Sequence, residues 1–183
     1  MYQVTSWILF TLASTGVLIH AEAEIISTRG KEVVCTTTDV RNQVEQFRPK
    51  LENCTVIEGS LQILLIEHAD TYAYEGLSFP NLVEITDYLL LYRVYGLRTL
   101  SNMFPNLAVI RGQRLFFNYA LVVFEMPNFE GLGLSSLTTI ERGAVRIEKN
   151  SAMCYINTID WDRILNVRMD DNFIMENKDD KVG

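Results

Sequence analysis

The sequence predicts a mainly β protein, a parallel β-helix of leucine-rich-repeat type with short capping helices. Three observations carry this. A motif recurs at a spacing of 25 residues. A β-rich stretch follows each copy. The segments between these stretches are too short for the long amphipathic helices of an α/β fold.

The repeat is clearest in Phe79-Pro80-Asn81-Leu82-Val83-Glu84-Ile85 and Phe104-Pro105-Asn106-Leu107-Ala108-Val109-Ile110. Weaker copies flank it, Leu51–Ile57 upstream and Leu134–Ile140 downstream. The stretches that follow are Leu61–Leu65, Tyr88–Tyr92, Leu115–Tyr119 and Val145–Lys149, with a degenerate rung at Asn172–Asn177. One coil of about 25–30 residues cannot bury its apolar side alone, but stacked coils share a continuous core. Each coil is expected to give one short strand to each of two parallel sheets. Leu and Ile point inward, and Asn and Gly form corners. Capping helices are expected near Val40–Phe47 and Ile159–Leu165, because an open solenoid end exposes core and unpaired edges.

Residues 1–23 read as a secretory signal peptide. Trp7–Ile19 is almost wholly apolar, and Ala21-Glu22-Ala23 offers small residues for cleavage. The run is short of the roughly 20 residues that span a bilayer, and no Lys or Arg precedes it. Residues 24–32 are then an extension and 33–181 the folded domain. Cysteine usage agrees with export. A Cys35–Cys54 disulfide would tie the N-terminal end to the first strand, and Cys154 is left without a partner. Asn53-Cys54-Thr55 is the single N-glycosylation sequon.

Composition narrows the function. The 183 residues carry a formal charge of -7 and 48% hydrophobic residues, enough for one cored domain. The acidic balance and the lack of a Lys/Arg cluster argue against a nucleic-acid partner. Of two histidines, His20 lies in the leader and His68 stands alone. No nucleophile elbow, metal-ligand cluster or phosphate loop accompanies it, and Gly131-Leu132-Gly133 lacks the third glycine. The chain is therefore expected to be a binding module rather than an enzyme, without cofactor or metal. Alternation along a strand cannot bury every aromatic of Leu115-Phe116-Phe117-Asn118-Tyr119. Composition alone leaves that run evenly poised between core and interface.

Longer runs are more specific. Leu51–Gly59, Ile85–Leu97, Leu115–Met126, Arg146–Asn150 and Thr158–Trp161 resemble the first L domain of insulin-receptor-family ectodomains, over about residues 33 to 181. The resemblance implies a right-handed β-helix whose central sheet contributes the primary binding face for insulin or insulin-like growth factor peptides. It places ligand contacts on Asp39, Arg41 and Asn42 of the N-terminal segment. On the sheet it places them on Gln62, Leu64, Leu65, Tyr92, Phe116, Phe117, Asn118, Tyr119, Val122, Phe124, Glu125, Arg146, Glu148 and Lys149. Leu65, Tyr92 and Phe117 would give apolar contact, Gln62 and Asn118 hydrogen bonds, and the charged residues complementarity.

The sequence also departs from the family. Glu67 stands where insulin receptors carry an aromatic residue and growth-factor receptors a small polar one. Tyr92 replaces the usual Phe, and residues 67–76 diverge. The family's kinase, membrane span, Cys-rich region and second L domain have no counterpart in the 183 residues. The resemblance implies that a helix from the end of the ectodomain completes the hormone site, and that the partner of Cys154 follows just beyond Gly183. The expectation is a truncated, extracellular hormone-binding domain of an insulin-like receptor tyrosine kinase, with the remainder of that ectodomain as a partner. The alternative is a secreted hormone-binding decoy without signalling.

Overall fold

The structure, a computed structural model, describes residues 32–166 and 171–178. The leader at 1–23, the extension up to residue 31 and the tail from residue 179 lie outside the described residues.

Nine strands are described: β1 (Val34–Arg41), β2 (Val56–Ile66), β3 (Glu84–Ile85), β4 (Leu89–Val94), β5 (Val109–Ile110), β6 (Tyr119–Phe124), β7 (Thr139–Ile140), β8 (Ala144–Glu148) and β9 (Phe173–Met175). All strand pairings are parallel. They form two ladders, one in the order β1-β2-β4-β6-β8-β9 and one of short strands in the order β2-β3-β5-β7. The two expected sheets are thus joined, because β2 runs through both. Its Val56–Ile57 end pairs with β3 and its Leu61–Ile66 end with β4. Asn172–Asn177 supplies the fifth rung, as its sequence predicts.

Strand alternation puts one residue in two into the core. Ile57, Ile85, Ile110 and Ile140 stack in the short ladder, and Val40, Ile63, Leu91, Val123 and Ile147 in the long one, all fully buried. Each such side chain contributes about 1.5–3 kcal/mol relative to exposure. The repeated Phe-Pro-Asn-Leu segments add a ring column: Phe79 lies 6.3 Å from Phe47 and 6.0 Å from Phe104.

The corners follow backbone demands. Gly112 has φ +64°, and a Cβ there would meet Arg142 O at 2.1 Å, so only glycine fits. The opposite corner, after the long ladder, uses buried asparagines. Asn150 Oδ1 accepts from Met126 N at 3.0 Å and Asn177 Oδ1 from Asn150 N at 3.2 Å. Their amide nitrogens donate to Val123 O at 3.1 Å and Ile147 O at 2.9 Å. Buried turn groups are thereby satisfied from the next coil.

Three expectations are corrected. The N-terminal helical region is not Val40–Phe47. Val40 continues β1, and a short 3-10 turn at Val44–Gln46 leads into α1 (Phe47–Leu51). The apolar pair that caps the core is Phe47 and Leu51, and pairing with β2 holds Val40 extended. The C-terminal helix is shorter than Ile159–Leu165. This α2 (Trp161–Ile164) is capped by Asp160, which accepts from Arg163 N, and Leu165 instead bridges to Ile140. Finally, Leu115–Tyr119 is not the third rung's strand. That strand is Tyr119–Phe124, with Leu121 rather than Leu115 opposite Leu89.

The Cys35–Cys54 disulfide is present and links β1 to the turn before β2. Closing a loop of this size stabilises by about 3 kcal/mol in the chain-entropy account. Cys154 is free and half-buried. The exposed His68 lies in a loop, and no described group of His, Cys, Asp or Glu could hold a metal ion.

Candidate protein-binding face

The outward side of the long ladder carries two rows of side chains. Asp39, Gln62, Leu90, Val122, Arg146 and Phe173 form one row. Arg41, Leu64, Tyr92, Phe124, Glu148 and Met175 form the other. In the middle of the face Leu64, Leu90 and Val122 are buried, yet they belong to a cluster separate from the core. They are covered by Leu65, Tyr88, Tyr92, Phe116, Tyr119 and Phe124. Tyr92 stacks on Phe124 with centroids 5.5 Å apart. A partner would therefore touch the aromatic covering first, with Leu64 and Val122 supporting it from below.

The run Leu115–Tyr119 forms a tight loop at the start of β6. Phe116 and Tyr119 exchange backbone hydrogen bonds at 3.0 Å each way. Phe116 packs against Tyr88 at 5.8 Å and edge-on to Phe117 at 5.0 Å. Phe117 takes a left-handed conformation, φ 54°, and is 80% exposed. A bulky residue at positive φ is strained, and the strain here holds an apolar ring out in water. Asn118 is exposed beside it, while its carbonyl accepts from Ala144 N at 2.9 Å.

Polar groups frame the apolar centre. At the first coil Arg41 grips Asp39 through Nε and Nη2, at 3.2 and 2.5 Å. Both are well exposed, so the pair contributes little to stability. Gln46 and Lys50 donate to the carbonyls of Arg41 and Asp39, covering part of the free edge of β1. Gln62 Nε2 donates to Ser60 Oγ and Tyr88 Oη at 3.1 and 3.0 Å, which fixes its orientation. At the far end Glu148 is buried and bonded by Arg146 at 2.6 Å, with Lys149 Nζ at 3.8 Å.

A column of left-handed residues borders the face, one per coil: Asn42, Leu65, Arg93, Glu125, Lys149 and Glu176, with φ between 50° and 68°. Each directly follows the last residue of the second row. The backbone takes this conformation without glycine, inside β2 and β4 and just past the ends of the other strands, so every coil also carries a side chain at this position. Arg93 Nε donates to Glu125 Oε2 at 2.7 Å across two coils. That hydrogen bond and charge push the guanidinium further above its ordinary range. A groove of about 790 Å³ lies elsewhere, between residues 71–78 and 96–105, and its Arg98–Glu130 pair is closed on itself.

The structure thus gathers the expected contacts along one side of the molecule. Asp39, Gln62, Val122 and Arg146 share one row; Arg41, Leu64, Tyr92, Phe124 and Glu148 share the other. Asn42, Leu65, Glu125 and Lys149 lie on the rim, and Phe116 to Tyr119 overhang the centre. Arg93, Phe173 and Met175 belong to the same surface and were not picked out from the sequence. Phe173 and Met175 required the register of β9.

A family model for the receptor L domain matches residues 53–165. An insulin-like peptide receptor of Branchiostoma lanceolatum is 58% identical over 157 residues, 86% of this chain and 11% of that protein. An insulin receptor of Xenopus laevis is 56% identical over 148 residues, 81% of this chain and 11% of that protein. An insulin-like growth factor 1 receptor of Xenopus laevis is 49% identical over 177 residues, 97% of this chain and 12% of that protein. The chain therefore spans about a tenth of the length of these relatives. It belongs to the receptor L domain family, as that domain occurs in insulin and insulin-like growth factor receptors.

Proposed function

We propose that the outward face of the long ladder binds an insulin-like peptide hormone, as the first L domain of an insulin-like receptor ectodomain. The observation that carries this reading is the second apolar cluster. Leu64, Leu90 and Val122 lie on the solvent side of the sheet under aromatic rings, and Phe117 stands 80% exposed at its edge. A rigid aromatic centre framed by charges is the composition of a binding hot spot. The domain extends over residues 33–181, is exported by the leader at 1–23, and carries its glycan on Asn53. Asn53 is exposed and outside both rows, so a glycan there leaves the face open. The receptor's remaining ectodomain completes the site with a helix, so these residues alone bind weakly.

Titration of the purified protein with insulin-like peptides tests the reading. Phe117→Ala and Asn118→Ala are each expected to weaken binding by about 1–3 kcal/mol without unfolding the domain. Equal binding by both variants and the unaltered protein would remove the assignment of this face.

A further inference from the structure

We propose that Tyr72 is an acceptor for O-sulfation, taking a sulfuryl group from an activated sulfate nucleotide as the protein passes through the secretory pathway. The inference goes beyond hormone binding and draws on the export reading only to bring Tyr72 to a transferase. Tyr72 stands in residues 67–76, the segment that departs from the family and lies outside both rows of the face.

Sulfuryl transfer asks two things of a tyrosine. Its hydroxyl must reach into a cleft on another protein, and its surroundings must suit that cleft. The donor is a polyanion, so a cleft that holds it is cationic. Such a cleft attracts acidic surfaces and repels basic ones. Tyr72 meets both demands. It is 75% exposed, in a 3-10 turn at Thr71–Tyr74, and Asp70 to Ala73 are exposed throughout. Asp70 accepts from Ala73 N at 3.0 Å, which fixes the turn that presents the ring. Glu67 and Glu75 lie on either side, and no Lys or Arg occurs between Lys50 and Arg93. No described residue holds either glutamate in an ion pair. Arg48, the cation that the fold brings to this loop, is engaged at Gly76 O, 2.8 Å away.

The other described tyrosines each fail one demand. Tyr74, two residues on, donates its hydroxyl to Tyr95 O at 2.8 Å, and burial pushes its phenol well above the ordinary range. Tyr88, Tyr92 and Tyr119 pack into the covering of the outer cluster. Tyr95 is 42% exposed but lies between Arg93 and Arg98. Tyr155 is 76% exposed, but the nearest acid in sequence is Asp160, which caps α2. Exposure and an acidic, cation-poor surrounding coincide at Tyr72.

The step balances without a redox partner. The Tyr72 oxygen attacks the sulfur of the mixed sulfuric–phosphoric anhydride. The bond from sulfur to the bridging oxygen breaks, and the nucleotide leaves with that electron pair. The phenol proton passes to a base of the transferase. The product is an aryl sulfate, a fixed negative charge on the loop.

The test incubates the purified full chain with a tyrosylprotein sulfotransferase and a donor carrying radioactive sulfur. Cleavage after glutamate releases His68–Glu75, which contains both Tyr72 and Tyr74. Label is expected in that fragment, absent from it in Tyr72→Phe and retained in Tyr74→Phe. Asp70→Asn combined with Glu75→Gln keeps a capping oxygen but removes two charges, and should slow labelling of the intact chain about tenfold. In protein secreted by animal cells the same fragment should carry the mass of a sulfate. That mass should resist phosphatase and vanish when chlorate blocks donor synthesis. No label on the unaltered chain, or label kept in the fragment by Tyr72→Phe, overturns the site. An unchanged rate in the double variant overturns the role of the acids. Secreted protein unmodified at Tyr72, from cells that sulfate a control protein, overturns the modification even where purified transfer succeeds.

Discussion

Along β2, β4, β6 and β8 the core-facing residues of one row are Ile63, Leu91, Val123 and Ile147. The outward-pointing residues one position earlier are Gln62, Leu90, Val122 and Arg146, the middle two buried under the aromatic covering. The same strands in the same register carry both. On the inner side every residue is aliphatic and fully buried, because stacked coils must present matched shapes to one another. On the outer side the row changes from polar to aliphatic, aliphatic again and then charged from coil to coil. Backbone pairing is satisfied either way, so the ladder leaves the outer row free to vary. The inner row therefore reports on stability, and under the proposed function the outer row reports on recognition.

Substitutions can break or sharpen that contrast. The largest effect is expected inside. Leu91→Ala leaves a cavity in the middle of the aliphatic column and should cost about 2–5 kcal/mol, read as a lower urea midpoint. The folded fraction should keep its outer face and bind peptide as before. If Leu91→Ala alters affinity as much as Phe117→Ala does, the two sides are coupled and the contrast fails. The corner comes next. Asn150→Ala removes the acceptor of Met126 N and the donors to Val123 O and Asn177 Oδ1. Leaving such buried groups unpaired should cost about 2 kcal/mol or more, again by urea unfolding. A loss below about 0.5 kcal/mol would mean that the asparagine column is not structural.

On the outer side Phe117→Ala should leave the melting transition almost unmoved, within about 0.5 kcal/mol, while binding falls. The smallest effect belongs to the loop side. Arg98 donates to Glu130 through Nε and Nη2, both at 2.8 Å. That hydrogen bond holds the Glu130 carboxyl below its ordinary range against desolvation, with smaller help from the cationic charges of Arg98 and Lys178. A carboxylate depressed in the folded state adds stability above its unfolded value. That contribution disappears as pH falls through the folded value. Glu130→Gln should therefore flatten slightly the acid side of the stability profile. Because both partners are exposed, salt should erase the difference.

Much of the architecture was legible because a repeat states the same burial rule several times. Phe79-Pro80-Asn81-Leu82 and Phe104-Pro105-Asn106-Leu107 mark equivalent corners, and the strands after them follow. The misplacement of the third strand has a physical cause. Leu115-Phe116-Phe117-Asn118-Tyr119 has β propensity in every residue but Leu115 and Asn118, whereas the ladder selects Tyr119–Phe124 through burial of Leu121 and Val123. Propensity cannot distinguish a strand from a loop that packs its aromatics on a neighbouring strand. Val40 misled in the opposite sense, since an isolated Asp39–Val44 segment has no visible partner until β2 is aligned beside it.

By itself the sequence determined the coil period, the aliphatic inner columns, the Cys35–Cys54 link and the family, because each rests on local pattern or on long runs of identity. Only the tertiary structure decided that Leu64, Leu90 and Val122 form a second cluster on the outer side, since that depends on which coils lie side by side. It also decided that Arg93, Glu125, Lys149 and Glu176 take a left-handed conformation that no glycine announces. Stacking imposes that conformation on each coil from its neighbours, and residue identity at the position is then released to line the border of the face.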